Sequence, residues 1–275
     1  MIKSAVTITL VGQLQTGPWI YWHDLEGNIS RAAALGFDAI ELFTPAADSI
    51  PIDQLRDLLA QYNITLAAVG TGAGKVIHGL SLTDPDPSVR NHAVAFIESM
   101  MRFGAAFGSP AIIGSMQGSV APRMERQEVL SWLAVGLTRL NNLAGQLGVK
   151  LIYEPLNRYE TNLFNTLADG AAFLVRHQLG HTRLLADCFH MNIEEDDLAA
   201  SISQHIPHIG HVHFADSNRK PVGFGHTDFT SIAEALIKGG YSGYVSAEAF
   251  PWPDSDQAAA QTIQSFQQYF RQPKL

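Results

Sequence analysis

Residues 130–154 read LSWLAVGLTRLNNLAGQLGVKLIYE. Leu130, Leu133, Leu137, Leu140, Leu143 and Leu147 recur at steps of mostly three and four residues, the spacing of one buried helix face. Gly148 then offers the left-handed conformation that ends helices, and Leu151-Ile152-Tyr153-Glu154 follows as a short apolar run closed by a carboxylate. The same unit recurs. Runs rich in Val, Ile, Leu and Ala occupy residues 5–11, 39–43, 64–69, 111–114, 151–154, 184–187, 209–214 and 244–249, eight in all. Helical spacing lies between them, as in Leu55, Leu58, Leu59 and Tyr62, and Gly36, Asn63, Gly108, Gly148, Gly180 and Gly239-Gly240 are the expected helix stops, with Pro207 doing the same before the seventh run.

Alternating strands and helices imply parallel βαβ units with right-handed crossovers. Eight of them in 275 residues predict an α/β fold, a (β/α)8 barrel forming a single domain over residues 1–275. A doubly wound open sheet would carry a glycine fingerprint after its first strand, and Gly12-Gln13-Leu14-Gln15-Thr16-Gly17 lacks it. Gly70-Thr71-Gly72-Ala73-Gly74-Lys75 is too short for a phosphate loop and continues into Val76, so it reads as a flexible loop on the top face of the barrel. The long segments 12–23, with Pro18, Trp19, Tyr21 and Trp22, and 70–87 follow strands, which makes them candidate walls of a substrate pocket.

Composition narrows the function. Hydrophobic residues make up 46% and charged residues 16%, so disorder is excluded as the main state. The net charge of −8 and the lack of a basic run argue against a nucleic-acid partner. The N-terminus reads as a first strand rather than a signal peptide, no apolar run approaches the roughly 20 residues that span a bilayer, and the lone Cys188 fits a reducing compartment. A cytoplasmic protein without membrane contact is the expectation. A homo-oligomer is compatible with the sequence, which does not fix the oligomeric state.

The chemistry lies at the ends of strands five to eight. Glu154, Asp187, His213 and Glu248 each close or nearly close an apolar run, at steps of 33, 26 and 35 residues, about one βα unit each. Adjacent strands would therefore deliver four ligands to the barrel mouth. Three converging carboxylates repel one another unless a cation joins them, and a mostly oxygen set with one imidazole suits one Mn²⁺ or Mg²⁺, with Co²⁺ or Zn²⁺ also compatible. His190, Glu160 and Arg219 would face a hydroxyl-rich substrate, the alternative for Glu160 being a surface pair with Arg158. His213 is expected inward, with His211 turned against the helices as a hydrogen-bonded core residue. His23, His78 and His226 fall in top-face loops without an assigned role.

These residues carry a resemblance. Glu154 with Asn157-Arg158-Tyr159-Glu160, the run Asp187-Cys188-Phe189-His190-Met191-Asn192-Ile193-Glu194-Glu195, His213 with Asn218-Arg219, the segment 223–229 and Glu248 resemble the sugar isomerase/epimerase branch of the xylose isomerase-like barrels, with the pattern nearest to ketose 3-epimerases such as tagatose and psicose epimerase. The resemblance covers the second half of the chain in order. It implies that Glu154, Asp187, His213 and Glu248 hold one metal, that Glu154 and Glu248 double as the acid/base pair, and that Glu160, His190 and Arg219 hold the substrate's first carbons. The substrate is expected to be a small, polyhydroxylated and unphosphorylated sugar, because the sequence has no dedicated Gly-rich or Lys/Arg phosphate cup beyond Gly223-Phe224-Gly225. Ala215-Asp216 replaces the Gly-Glu common in those epimerases, which leaves open which sugar and which carbon react.

The expected reaction is proton transfer beside a carbonyl through a cis-enediolate, ending in epimerisation or in aldose–ketose isomerisation. A hydroxypyruvate isomerase or an inosose dehydratase would show much the same ligands, and a barrel serving only as a binding protein would not need the acid/base pair. An endonuclease IV-like nuclease would need further histidines at the ends of strands three and four, where strand four reads Ile112-Ile113-Gly114-Ser115.

Overall fold

The computed structural model describes residues 1–271; the rest of the expected 1–275 domain lies outside the described residues. Eight parallel strands close on themselves: β1 (Lys3–Thr9), β2 (Ala39–Phe43), β3 (Thr65–Gly70), β4 (Ala111–Ile113), β5 (Leu151–Tyr153), β6 (Thr182–Asp187), β7 (Ile209–His213) and β8 (Tyr244–Ala247). Each pairs with the next, and β8 returns to β1 with Val6 opposite Ala247, so no edge is left among them. The two residues Tyr21–Trp22 add a short parallel rung beside Ile8 and Thr9. Each of the eight barrel strands overlaps the apolar run that predicts it, the short Tyr21–Trp22 strand falling on none of them, and the chain is a (β/α)8 barrel.

Strand parity sets what goes where. Ile40, Leu42, Leu184, Ala186 and Val212 join the continuous core between strands and helices, whereas Ala68, Ile112, Ile152 and Leu185 pack with one another as a separate cluster, filling the barrel. Side chains two residues further along a strand share its face. Gly114, Glu154 and Asp187 therefore stand one layer above Ile112, Ile152 and Leu185, at the C-terminal mouth.

The helix Arg126–Leu147 buries Leu133, Leu137, Leu140 and Leu143 along one face and stops at Gly148, whose φ of +69° lets its amide return to the carbonyls of Ala144 and Gly145. Asp24, Asp86, Thr166, Asp197, Asp228 and Asp254 open other helices by accepting backbone N–H bonds. Two expectations need correction. The left-handed residue before β6 is Gln178, with φ +56°, and not Gly180. The segment 70–87 is not simply a flexible loop, because Ala73–His78 forms a short helix, with Ala73 and Gly74 buried. Among the described residues no helix is long and apolar enough to cross a membrane.

Leu137 has no exposed surface, so Leu137→Ala leaves a cavity between helix and barrel. The expected loss is about 2–5 kcal/mol in denaturant unfolding, with the activity of the remaining folded protein unchanged.

Candidate active site

Glu154 follows β5, with its amide bonded to Ile113 O and its carbonyl accepting from Gln117 Nε2 at 2.8 Å. Gln117 also donates to Gly114 O and accepts from Tyr153 Oη, so one buried amide ties the ends of β4 and β5 together beneath the carboxylate. Asp187 ends β6 and divides its two oxygens: Oδ1 caps the helix Cys188–Glu194 by accepting from Phe189 N and His190 N, and Oδ2 faces His213 Nδ1 at 3.2 Å. His213 Nδ1 lies 3.6 Å from Glu154 Oε1 and 3.6 Å from Glu248 Oε2. One ligand atom from each of Glu154, Asp187, His213 and Glu248 falls within 4.8 Å of all the others, and all four residues are buried.

The three residues expected around a substrate stand at the same mouth. His190 is 1% exposed, with Nδ1 accepting from Asn157 Nδ2 at 2.8 Å and from Asn157 N at 3.3 Å. With Nδ1 accepting, the proton sits on Nε2, which has no protein partner and lies 3.8 Å from Glu154 Oε1 and Asp187 Oδ2. Arg219, at φ +57°, reaches Glu248 Oε2 at 2.6 Å and Glu160 Oε1 at 3.5 Å. Glu160 is therefore not the partner of Arg158, which bonds instead to Glu194. Asp216 does not line the cavity; it accepts from the amides of Ser217, Gly223 and Thr227 and so holds the loop that presents Arg219.

A cavity of about 200 Å³ joins these groups. Its floor is polar, with Glu154, His190, His213 and Glu248; its outer wall is apolar, with Val11, Leu14, Pro18, Trp19, Phe43 and Val76. The segments 12–23 and 70–87 thus contribute as expected through Pro18, Trp19 and Val76, while Tyr21 belongs to the buried core instead. His23, His78 and His226 do not line the cavity.

His211 departs from expectation. Residues two apart share a strand face, so His211 points into the barrel with His213 and not toward the helices. Its Nε2 lies 2.6 Å from Glu41 Oε2, and His213 Nε2 lies 3.0 Å from Glu41 Oε1. Glu41 is missing from the sequence reading because Ala39-Ile40-Glu41-Leu42-Phe43 scans as an apolar run; the signal was a lone carboxylate at an inward position. Gly114 follows β4 without a side chain. A Cβ there would come within 2.5 Å of Glu154 Oε2, so the missing side chain makes room for the carboxylate.

Electrostatics follow from this crowding. Burial, with the charges of Glu154 and Asp187, pushes the Glu248 carboxyl up to about 7 from 4.5 against the opposing pull of His213 and Arg219. Burial alone would lower His213, but the surrounding carboxylates of Glu41, Glu248, Asp187 and Glu154 outweigh it and raise the imidazole well above 6.5. Burial likewise disfavours ionised Asp187 and Glu41, yet the neighbouring histidines hold both well below the usual carboxylate range. The donor set fits a divalent cation: an orphaned buried Glu154 Oε1, three convergent carboxylates and one imidazole nitrogen.

A closed parallel barrel with acids and an imidazole at the C-terminal ends of β5 to β8 defines a class of enzyme-like barrels. The chain belongs to the Xylose isomerase-like TIM barrel family, which matches residues 29–269. It is 29% identical over 244 residues to a D-psicose 3-epimerase of Ruminiclostridium cellulolyticum, covering 84% of this chain and 82% of that one. It is 41% identical over 109 residues to a 3-dehydro-D-guloside 4-epimerase of Escherichia coli, covering 40% and 42%. The crystal structure of a D-allulose 3-epimerase from Methylomonas sp. superposes with a TM-score of 0.80 over 98% of each chain at 24% identity.

Gly114→Ala tests the space beside Glu154. In the folded variant, divalent-cation affinity by calorimetry should fall about tenfold or more.

Proposed function

We propose that this chain is a divalent-metal-dependent sugar epimerase that inverts a carbon beside a ketone, acting on free ketoses at C3. The observation that carries the reading is the pair Glu154 and Glu248, on strands well apart in the barrel, each 3.6 Å from the same His213 nitrogen. Two carboxylates reaching one small cavity from different sides can serve a planar intermediate from both faces.

The ligands would be Glu154, Asp187, His213 and Glu248, with Mn²⁺ or Mg²⁺ the best match to three carboxylates and one imidazole. A cation there supplies Lewis-acid polarisation of the sugar's carbonyl and neighbouring hydroxyl oxygens. The remaining work belongs to the protein. Glu160, Arg219 and the His190 Nε2–H hold the substrate oxygens nearest the ketone. One glutamate removes the proton from the carbon next to the carbonyl, giving a cis-enediolate, and the other returns a proton to the opposite face. Return to the adjacent carbon would give isomerisation instead. Arg219, already paired with Glu248 and Glu160, is a weak anchor for a phosphate dianion, which supports an unphosphorylated substrate. The buried thiol of Cys188 supports a cytoplasmic setting.

A second reading is inversion at C4 of a 3-keto glycoside, favoured by the 41% identity to the 3-dehydro-D-guloside 4-epimerase. The proton chemistry is identical and only the position of the ketone differs. Turnover in deuterated water separates the two readings. Deuterium at C3 of a free ketose supports the first, deuterium at C4 of a keto glycoside the second, and conversion with no solvent deuterium in the product overturns both.

Exhaustive chelation should abolish turnover, and Mn²⁺ should restore it. Glu154→Gln and Glu248→Gln, assayed where they still hold the cation, should lose about 10²–10⁴ in kcat; near-normal rates in both variants are incompatible with the proton-transfer role.

Cation binding must displace protons from Glu248 and His213, so affinity should rise with pH. Both groups have folded pKa values above their unfolded ones, so the stability they lend is present at low pH and lost as pH rises through about 7 for Glu248 and higher for His213. A cation offsets that loss. The Mn²⁺-induced rise in unfolding midpoint should be larger at pH 8 than at pH 6, and calorimetry in buffers of different ionisation enthalpy should register proton release near neutral pH.

A further inference from the structure

Glu41 sits mid-strand in β2, 0% exposed, one layer beneath the cluster at the barrel mouth. Its carboxylate meets two imidazoles, one on each oxygen: His213 Nε2 at 3.0 Å from Oε1 and His211 Nε2 at 2.6 Å from Oε2. The other nitrogen of His213 faces Asp187, Glu154 and Glu248. One imidazole is thus held between a carboxylate below and three carboxylates above.

We propose that Glu41 is the positioning residue of the site: it accepts the Nε2–H of His213 and fixes that ring's plane, so that Nδ1 is the nitrogen that gives up its proton and turns a lone pair to the cluster when a cation binds. This rests on reading Glu154, Asp187, His213 and Glu248 as a cation site. The chemistry selects a carboxylate. Ionised, it accepts on both oxygens and donates on neither, so any neutral imidazole it faces must present N–H. Nδ1 of His213 is then left as the lone-pair nitrogen. His211 occupies the second oxygen and keeps the carboxylate from rotating away. A histidine that binds metal through one nitrogen is commonly oriented by a carboxylate on the other, and removing such a partner costs 10- to 100-fold in affinity.

Glu41, His211 and His213 also lie close enough together to suggest a second cation site. The geometry favours hydrogen bonds. Ligands about 2.0–2.2 Å from one ion stand about 2.9 Å or more apart, whereas the Glu41–His211 pair is at 2.6 Å with each imidazole on its own oxygen.

The test uses the full chain with ¹⁵N-labelled histidine, metal-free and loaded with Zn²⁺, alongside Mn²⁺ calorimetry. In the parent protein, His213 should show an exchange-protected Nε2–H in both forms, with Nδ1 perturbed by Zn²⁺, and one ion should bind per chain. Glu41→Gln retains an acceptor for only one of the two imidazoles. The protected Nε2–H should weaken or vanish, and the Mn²⁺ dissociation constant should rise about 10- to 100-fold. An unchanged constant and an unchanged His213 spectrum in folded Glu41→Gln overturn the proposal, as do two ions per chain or Zn²⁺ on Nε2. If Glu41→Gln does not fold, the parent spectrum decides, because a His213 without a protected Nε2–H contradicts the clamp. If the parent protein binds no divalent cation, the cation reading fails, and the Nε2–H resonance still decides the role of Glu41.

Discussion

Negative charge packed into a buried barrel mouth is the constraint on which the rest of this structure depends. Glu154, Asp187 and Glu248 bring carboxylate oxygens within 4.8 Å of one another on side chains that are almost wholly buried. Like charges that close cannot all ionise freely, and the surrounding structure distributes the load. Asp187 gives one oxygen to a helix N-terminus, Glu248 gives one to Arg219, and His213 stands among all three acids. Every one of these relations needs the carboxylates fixed to within a fraction of an ångström. Short strands with filled interiors do that better than loops, since Ile112, Ile152 and Leu185 wedge the barrel immediately below.

The same parity decided what could be read from the sequence. Eight strands and the four strand-end groups were legible because helix and strand rhythms alternate without interruption, and because a polar residue after an apolar run stands out. Glu41 was not, because it sits within such a run and looks like an interruption rather than an end. Assigning His211 to the wrong face followed from treating a two-residue step as a change of face. The helix stop before β6 falls at Gln178 although Gly180 is nearby, because the left-handed position is set by where the helix Leu167–Arg176 ends and not by which residue would fit it most easily. Gln117 and Gly114 act through a side-chain amide beneath Glu154 and through a missing Cβ beside it, and neither leaves a pattern in a single sequence.

Asp216 illustrates how a departure from a familiar pattern becomes interpretable only in three dimensions. In the sequence it alters the segment after His213 and leaves the choice of sugar open. In the structure its carboxylate gathers the amides of Ser217, Gly223 and Thr227, and its own carbonyl accepts from Arg219 N at 2.7 Å. Arg219 adopts φ +57°, a conformation unusual for a residue with a side chain, and this knot makes it tenable. The guanidinium is aimed from the loop side over the Phe189 ring, 4.8 Å from its centroid, toward Glu160 and Glu248.

That placement makes the two glutamates unequal. Glu248 is tethered to Arg219 and responds to its charge, which pulls the carboxyl down against burial and the neighbouring acids. Glu154 carries no guanidinium, keeps Oε1 without a partner and has the open side of Gly114 beside Oε2. A sugar oxygen drawn to Arg219 would therefore compete with Glu248 for the same donor and raise the proton affinity of that carboxyl as it binds. On the proposed function, substrate anchoring and acid strength are then linked through one guanidinium. The carbon that is inverted depends on how far the ketone lies from the end of the sugar that Arg219 and Glu160 hold. On the proposed function, an acid/base pair of this kind could serve C3 in one sugar and C4 in another without any change in the pair itself, and selectivity would then fall to the loop tied by Asp216 and to the apolar outer wall.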